Sequence, residues 1–409
     1  MKVPFNKETL FGGEDSAILL ALSQGQTHGD GPYTKKCHQF FETKYGEGVK
    51  KALLTTSCTM AFEMAFILSE IGSGDEVIMP SFGYPSAASS LMVHGAIPVF
   101  VDIDPETLSI NENLIEAAIT DKTKAIFVVH YAGVSCDMDK IMEIASRYGL
   151  KVIEDAAQAI GSKYKGKLLG IIGDFGCISF HGTKNIVCGE GGVLLVNREQ
   201  DFHRSEIIWE KGTDRKQFLR GEVDKYSWVD LGSSYLPSEL QAAFLSVQLE
   251  NIEVATNLRK KIWTKYHTVF SLMASKWEVE LPIIPHYNES NFHLYSLLFE
   301  SRDRAISFAN YMKEQEISAY FHFVPLHESQ KGKSLGYTKD GFEVSSKVGN
   351  CLIRLPLYNS MTAEEQEYVI QKVVAFFEEK EKIGERGERG EKIKKQEQFE
   401  IRSNHEINS

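Results

Sequence analysis

The 409-residue sequence has no run approaching the roughly 18 apolar residues that a membrane-spanning helix needs, which excludes an integral membrane protein of the helical type. Its start, Met1-Lys2-Val3-Pro4-Phe5-Asn6-Lys7, lacks an apolar signal region, so a cytoplasmic protein with no membrane partner is expected. Cysteine is scarce: Cys37, Cys58, Cys136, Cys177, Cys188 and Cys351 are scattered without CxxC spacing. Several of them lie in apolar runs, so they read as reduced core residues and not as a disulfide framework or a metal site. An excess of positive charge is missing too. Lys and Arg number 45 against 56 Asp and Glu, a formal net charge of −11, which argues against nucleic acid as the main partner. An anionic ligand therefore needs a local pocket of cationic or amide donors.

What is present is an ordinary globular composition, 43% hydrophobic and 25% charged, over a length that allows one large domain and one smaller one. Strand-like and helix-like segments alternate from residue 52 onward. Ala52 to Thr56 reads as a strand and Ala61 to Leu68 as a helix, followed by strand Glu76 to Pro80 and helix Tyr84 to His94. Strand Ile97 to Asp102, helix Leu114 to Ile119, strand Lys124 to His130, helix Met138 to Tyr148 and strand Lys151 to Asp155 continue the series. Such repetition predicts a largely parallel sheet covered on both faces. Ser238 to Lys265 reads as one long amphipathic helix leading to a second domain. Residues 260–377 mix strand and helix signals. After Phe377 a charged, glycine-punctuated stretch cannot bury a core. The organisation expected is a large domain with an N-terminal arm over 1–250, a smaller C-terminal domain over 251–377, and a flexible tail over 378–409.

The chemistry concentrates around one stretch. The apolar run Cys177 to Phe180 ends in His181-Gly182-Thr183-Lys184-Asn185, and the glycine cluster Gly189-Glu190-Gly191-Gly192 follows, where backbone packs closely. Upstream, Lys151-Val152-Ile153 ends in Glu154-Asp155-Ala156-Ala157-Gln158. A lysine and a carboxylate thus both stand at the C-terminal ends of strands, where open α/β sheets bind ligands. An amine for covalent attachment and an acid for a pyridinium nitrogen are what a pyridoxal phosphate (PLP) enzyme needs from its protein. Ser57-Cys58-Thr59 opens a helix, whose free amides suit either a plain cap or a phosphate site. Tyr84, just past a strand end, suits core packing or stacking on a flat ring. The polar, basic and aromatic stretch Lys211 to Gly221 reads as an irregular loop, and His322 lies among aromatics in Tyr320 to His327.

In this order and spacing, Thr56-Ser57-Cys58-Thr59, Glu154 to Gln158, Ser179 to Asn185 with Gly189 to Gly192, and Gln241-Ala242-Ala243 resemble the DegT/DnrJ/EryC1/StrS sugar-nucleotide aminotransferases, from Pro4 to Phe377. The resemblance implies the PLP-dependent, aspartate-aminotransferase-like fold (fold type I), with a large mostly parallel-sheet domain and a smaller C-terminal α/β domain. It implies Lys184 as the attachment lysine, Asp155 as partner of the ring nitrogen, and Gln158 near the phenolic oxygen. Ser57, Cys58, Thr59 and Ser179 would hold the phosphate and Tyr84 would stack on the ring. It further implies a homodimer, with Ser234 contacting the phosphate across the interface and the loop over 212–226 reaching into the neighbour's site. L-glutamate is the implied amino donor. A narrower likeness rests on His130-Tyr131-Ala132-Gly133, Lys211-Gly212-Thr213, Phe218 to Tyr226 and Leu231 to Leu236. It points to members that aminate C4 of dTDP-4-oxo-6-deoxy-D-glucose, with Arg220 and His322 as substrate contacts. Amination at C3 and a non-catalytic protein on the same fold remain as alternatives. A dehydratase, in which histidine replaces the lysine, is disfavoured by Lys184.

Overall fold

Seven strands make the central sheet of the computed structural model, which describes residues 1–46 and 49–378. In chain order they are β1 (Lys51–Thr55), β2 (Glu76–Pro80), β3 (Ile97–Val101), β4 (Thr123–Val129) and β5 (Lys151–Asp155). After a two-stranded hairpin, β6 (Lys163–Tyr164) and β7 (Lys167–Leu168), come β8 (Phe175–Ser179) and β9 (Gly192–Val196). The order across the sheet is β1-β9-β8-β5-β4-β2-β3, parallel throughout except that β9 runs against both β1 and β8. Strands buried on both faces read as continuous apolar runs, and β8 and β9 are buried at every position. Helices Cys58–Leu68, Ser86–Val93 and Met138–Tyr148 follow β1, β2 and β4.

Two helix expectations are corrected. In place of a helix over Leu114 to Ile119 stand two 3-10 turns, Glu112–Leu114 and Glu116–Ala118. Ile115 is the buried residue there, and one apolar anchor does not stabilise the ladder of a full helix. The single helix expected over Ser238 to Lys265 is two, Glu239–Leu249 and Ile252–Ser271. Asn251 breaks it: its Nδ2 donates to Val247 O at 2.9 Å and so satisfies a terminal carbonyl that a continuing helix would claim. The stretch read as an irregular loop also contains a short helix, Arg215–Leu219.

β10 (Val279–Glu280), β12 (Tyr295–Phe299), β14 (Leu352–Leu355) and β13 (Tyr320–Phe321) form a second, antiparallel sheet in that order, while β11 (Asn288–Glu289) pairs with β6. Helices Arg302–Glu314 and Glu343–Cys351 and a helix over 363–378 accompany this sheet. Its core, built around Trp277, Tyr295, Phe299, Phe308 and Phe377, also takes in Val3, Phe82, Ile103 and Tyr131. Val3 bridges in parallel to Ile317, so the N-terminal segment is tied to the stretch between helix Arg302–Glu314 and β13. Apart from Glu378, the charged tail lies outside the described residues. No helix among the described residues is long and apolar enough to cross a membrane.

Candidate active site

Beyond Ser179, the last residue of β8, the chain closes a tight loop before returning as β9. Phe180 N donates to Gly191 O at 2.9 Å, Cys188 N to Phe180 O at 2.8 Å, and Gly182 N to Gly189 O at 2.9 Å. Lys184 sits at the turn inside this loop, its amide donating to His181 O at 2.8 Å. Asn185 locks the turn to distant chain: Nδ2 donates to Asn291 O at 2.9 Å, Oδ1 faces His293 Nδ1 at 2.8 Å, and its carbonyl accepts from Asn359 Nδ2 at 2.9 Å. A glycine is required at 192 because a Cβ there would come within 2.5 Å of Cys58 N. The glycine cluster therefore seats the lysine loop directly against the start of helix Cys58–Leu68.

Asp155 closes β5, one strand away, in register with Cys177 of β8. One carboxylate oxygen accepts from Ala157 N at 2.9 Å. Burial pushes the Asp155 carboxyl above its usual range, and the Ala157 amide and Lys184 offset this in part. Burial likewise pulls Lys184 below its usual value, opposed by Asp155. An amine of lowered basicity near a buried carboxylate of raised pKa is a pair that a protonated pyridine ring would complete.

Strand alternation turns Glu154 to the other side. There it is fully buried and saturated, accepting from the amides of Gly170 at 2.8 Å, Ile172 at 2.7 Å and Gly173 at 2.6 Å, and meeting His130 Nε2 at 2.8 Å. His130 in turn donates its own amide to Asp155 O at 3.1 Å, so the pair braces the strand end that carries the acid. Burial alone would depress His130, but its contacts with Cys136 and Glu154 raise it to about 10. Because the folded value lies above the ordinary 6.5, the stabilisation is fully present below pH 6.5 and is lost as pH climbs through about 10. His130→Gln is expected to destabilise by about 3–5 kcal/mol, since Glu154 would be left buried without its cation. Denaturant melts of parent and variant from pH 6 to 10 check this, with the gap narrowing at the alkaline end.

These parts open on one cavity of about 690 Å³. Its walls bring together Ser57, Cys58, Thr59, Tyr84, Asp155, Gln158, Ser179, Lys184 and His322, all singled out in the sequence. The Ser57 side chain caps its helix by accepting from Met60 N, which leaves the first amides, those of Cys58 and Thr59, without intrahelical partners at the cavity wall. Gln158 is oriented by accepting from Ala132 N at 2.8 Å, and Tyr84 stands 64% exposed at the mouth, edge-on to Phe323. Of the aromatics at that turn, Phe82 is plain core. His322 Nδ1 lies 3.0 Å from Tyr131 Oη, and burial keeps the ring neutral. His327, its neighbour in the sequence motif, is spent on Ser81 and on stacking against Phe342.

Two expected contacts are not in this chain's cavity. Arg220 is held by Glu206 at 2.8 Å and Glu222 at 2.6 Å on an exposed loop, and Ser234 is exposed, bridging to Glu210. Among the cavity residues that escaped sequence reading are Phe5, Asn6, Arg259, His293 and Arg354. Asn6 Nδ2 donates to Gly182 O at 2.8 Å, joining the N-terminal segment to the lysine loop. Only Arg354 carried a signal, as a lone cation inside the apolar run Leu352-Ile353-Arg354-Leu355-Pro356-Leu357.

Fold and site together define a PLP-dependent aminotransferase of fold type I. The residues fit the cofactor: a lysine that could take the covalent attachment, a buried acid that could pair a ring nitrogen, and a helix start whose amides, left clear by the missing side chain of Gly192, could take a phosphate. Residues 12–374 match the profile of the DegT/DnrJ/EryC1/StrS aminotransferase family, and the chain belongs to that family. A pleiotropic regulatory protein of Geobacillus stearothermophilus is 34% identical over 322 residues, covering 78% of this chain and 82% of that one. The spore coat polysaccharide biosynthesis protein SpsC of Bacillus subtilis is 32% identical over 345 residues, 82% of this chain and 88% of that one. Among solved structures, Spr1654 of Streptococcus pneumoniae in its PMP form superposes with a TM-score of 0.86 at 26% identity, covering 92% of this chain and all of that one. The same protein in its PLP form gives 0.85 at 26% identity, over 93% and 99%.

Proposed function

We propose that the protein transfers the amino group of L-glutamate to C4 of dTDP-4-oxo-6-deoxy-D-glucose, giving dTDP-4-amino-4,6-dideoxy-D-galactose, and that it does so as a homodimer. The observation that carries the aminotransferase reading is the convergence of Lys184, Asp155 and the Ser57–Thr59 helix start on one cavity. PLP, when bound, supplies the electron sink for the pair released at the donor's α-carbon. Lys184 would hold the cofactor and, once displaced by the donor's amine, would carry the α-carbon proton to the cofactor's C4′ carbon, and in the second half-reaction would carry a proton from C4′ to the acceptor carbon of the sugar. Its depressed basicity favours the neutral amine that both tasks need. Asp155 would hold the ring-nitrogen proton, Gln158 would stand near the phenolic oxygen, and the amides of Cys58 and Thr59 with Ser57 and Ser179 would bind the phosphate.

The sugar-nucleotide reading draws on the Phe218-to-Tyr226 and Leu231-to-Leu236 blocks. His322, neutral and directed by Tyr131, suits a sugar hydroxyl or carbonyl. Support for the dimer comes from the same region: Leu219, Tyr226, Trp228, Val229 and Leu231 are 52–78% exposed, an apolar surface suited to a second copy. Arg220 and Ser234 flank that surface, where they serve the neighbour's cavity. Incubation with glutamate and either the 4-oxo or the 3-oxo dTDP sugar, with the new amine located by NMR, is expected to show amination at C4 only. An amine at C3 alone would overturn the C4 assignment.

A further inference from the structure

One ring nitrogen of His293 is left over once the lysine loop has been locked. The residue stands just before β12, and its ring lines the cavity with Lys184 and His322. Its backbone is clamped, because Arg259 from helix Ile252–Ser271 donates to Phe292 O at 3.1 Å and to His293 O. The tautomer of the ring follows from a chain of bonds. Asn291 O can only accept, so the Asn185 group that meets it at 2.9 Å is the amide nitrogen, and the atom turned to His293 is Oδ1. Oδ1 also can only accept, which puts the ring proton on His293 Nδ1, 2.8 Å away. Burial holds the imidazole well below its ordinary basicity, and the charges of Lys184, Arg259 and Arg354 push the same way. A neutral ring with its proton on Nδ1 presents a bare lone pair at Nε2. That atom has no partner among the described residues and is not shut off from solvent, so it opens on the cavity that the ring lines. His322 differs, since its Nδ1 faces the Tyr131 hydroxyl, which can give or take a proton and so leaves the tautomer free.

We propose that His293 Nε2 accepts a hydrogen bond from the sugar hydroxyl next to the reacting carbon, the C3 hydroxyl where C4 is aminated, and so makes the cavity select a ring that is hydroxylated there. The inference rests on the sugar reading above. Several groups pass through the cavity, and their hydrogens decide which of them a bare lone pair serves. The free ends of glutamate are carboxylates, which bring no hydrogen and are repelled by a lone pair, and the diphosphate is no different. Lys184 does carry hydrogens, yet it reaches His293 as a charge and not as a hydrogen-bond donor. A sugar hydroxyl is the donor that remains. Lys184 marks where the reacting carbon must lie, and a ring within range of that lysine's charge stands near the neighbouring carbon. In a 4-oxo-6-deoxyhexose only C3 offers a hydroxyl beside C4, because C5 bears the methyl group and the ring oxygen. Asn185 thus serves twice: its backbone and amide nitrogen hold the lysine loop, and its Oδ1 sets the tautomer that reads the sugar.

The test follows the PLP-loaded enzyme by the cofactor's absorbance, with glutamate and with dTDP-4-amino-4,6-dideoxy-D-galactose in separate runs, and repeats the sugar run with the 3-deoxy analogue. His293→Asn is the informative variant, because an asparagine amide reaches the place of Nδ1, keeps the bond to Asn185 and supplies nothing at Nε2. It is expected to slow the sugar half-reaction by about tenfold or more and to leave the glutamate half-reaction within about threefold. Removing the C3 hydroxyl should cost the parent a similar factor and the variant almost nothing, since the bond is already gone. A second readout needs no turnover. Nitrogen NMR of histidine-labelled parent should show His293 protonated at Nδ1 and bare at Nε2, with the Nε2 signal moving when the amino sugar binds but not when the 3-deoxy analogue does. Equal slowing of both half-reactions would make His293 a support of Lys184 and overturn the proposal. An equal loss on deoxygenation in parent and variant, or a proton found on Nε2, would overturn it too. If His293→Asn does not fold, the NMR comparison in the parent decides, and an Nε2 signal indifferent to the C3 hydroxyl counts against it. Failure of the sugar reading looks different: a parent that reacts with glutamate yet ignores the dTDP amino sugar sinks the substrate assignment and the proposal together, whereas a parent that takes the sugar without regard to its C3 hydroxyl sinks the proposal alone.

Discussion

Lys184→Ala should abolish transamination, with a loss of at least about 10⁴-fold, because covalent attachment and proton transfer both reside in that one amine. The fold should survive, since the loop around residue 184 is held by backbone bonds and by Asn185, none of which involves the lysine side chain. Borohydride reduction of the parent followed by peptide mass mapping should place the pyridoxyl group on Lys184. A label on Lys163, Lys165 or Lys167 would refute the assignment, and the β6–β7 hairpin that carries them lies away from the cavity walls. The same variant tests the shared site. Mixed with Arg220→Ala, itself expected to be impaired, Lys184→Ala should recover part of the activity if each cavity is completed by the neighbour's loop. No recovery under confirmed subunit exchange would mean that the cavities work alone.

Asp155→Asn should keep the fold and still bind PLP, yet lose about 10²–10³-fold in kcat, the usual size of removing one preorganised charge from a water-poor site. The sign of the stability change discriminates further. Burial raises the Asp155 carboxyl, so in the enzyme without cofactor its ionised form is a cost at neutral pH, and the amide removes that cost. The melting temperature of the apo variant should therefore match or exceed that of the apo parent. The PLP-loaded variant should gain less from the cofactor than the parent does. Activity within a few-fold of the parent would show that another group holds the ring nitrogen.

Much of the scaffold was legible because its signals are local. The alternation of apolar runs with amphipathic stretches between Lys51 and Val196 predicts the parallel sheet, and β5 and β8 deliver Asp155 and Lys184 to the same edge because parallel strands all end there. The Ser57 cap and the close approach of Gly192 to Cys58 follow from the same local rules. Where a local rule met competition it failed. Amphipathic periodicity does not announce the break at Asn251, which comes from a side chain bonding back to its own helix. Nor does apolar content over Leu114 to Ile119 reveal that Ile115 alone is buried there.

By itself, then, the sequence determined the sheet, the lysine–aspartate pair and the capped helix start at Ser57, since each depends on residues within about one strand–turn–helix unit. Only the tertiary structure decided which of two nearby histidines enters the cavity, that the lysine loop is locked by Asn291, His293 and Asn359, and that Phe5, Asn6 and Arg354 join the site. Those contacts link segments 106 to 176 residues apart. No periodicity or spacing encodes such a meeting, because it arises from how the N-terminal segment and the C-terminal sheet share one apolar core.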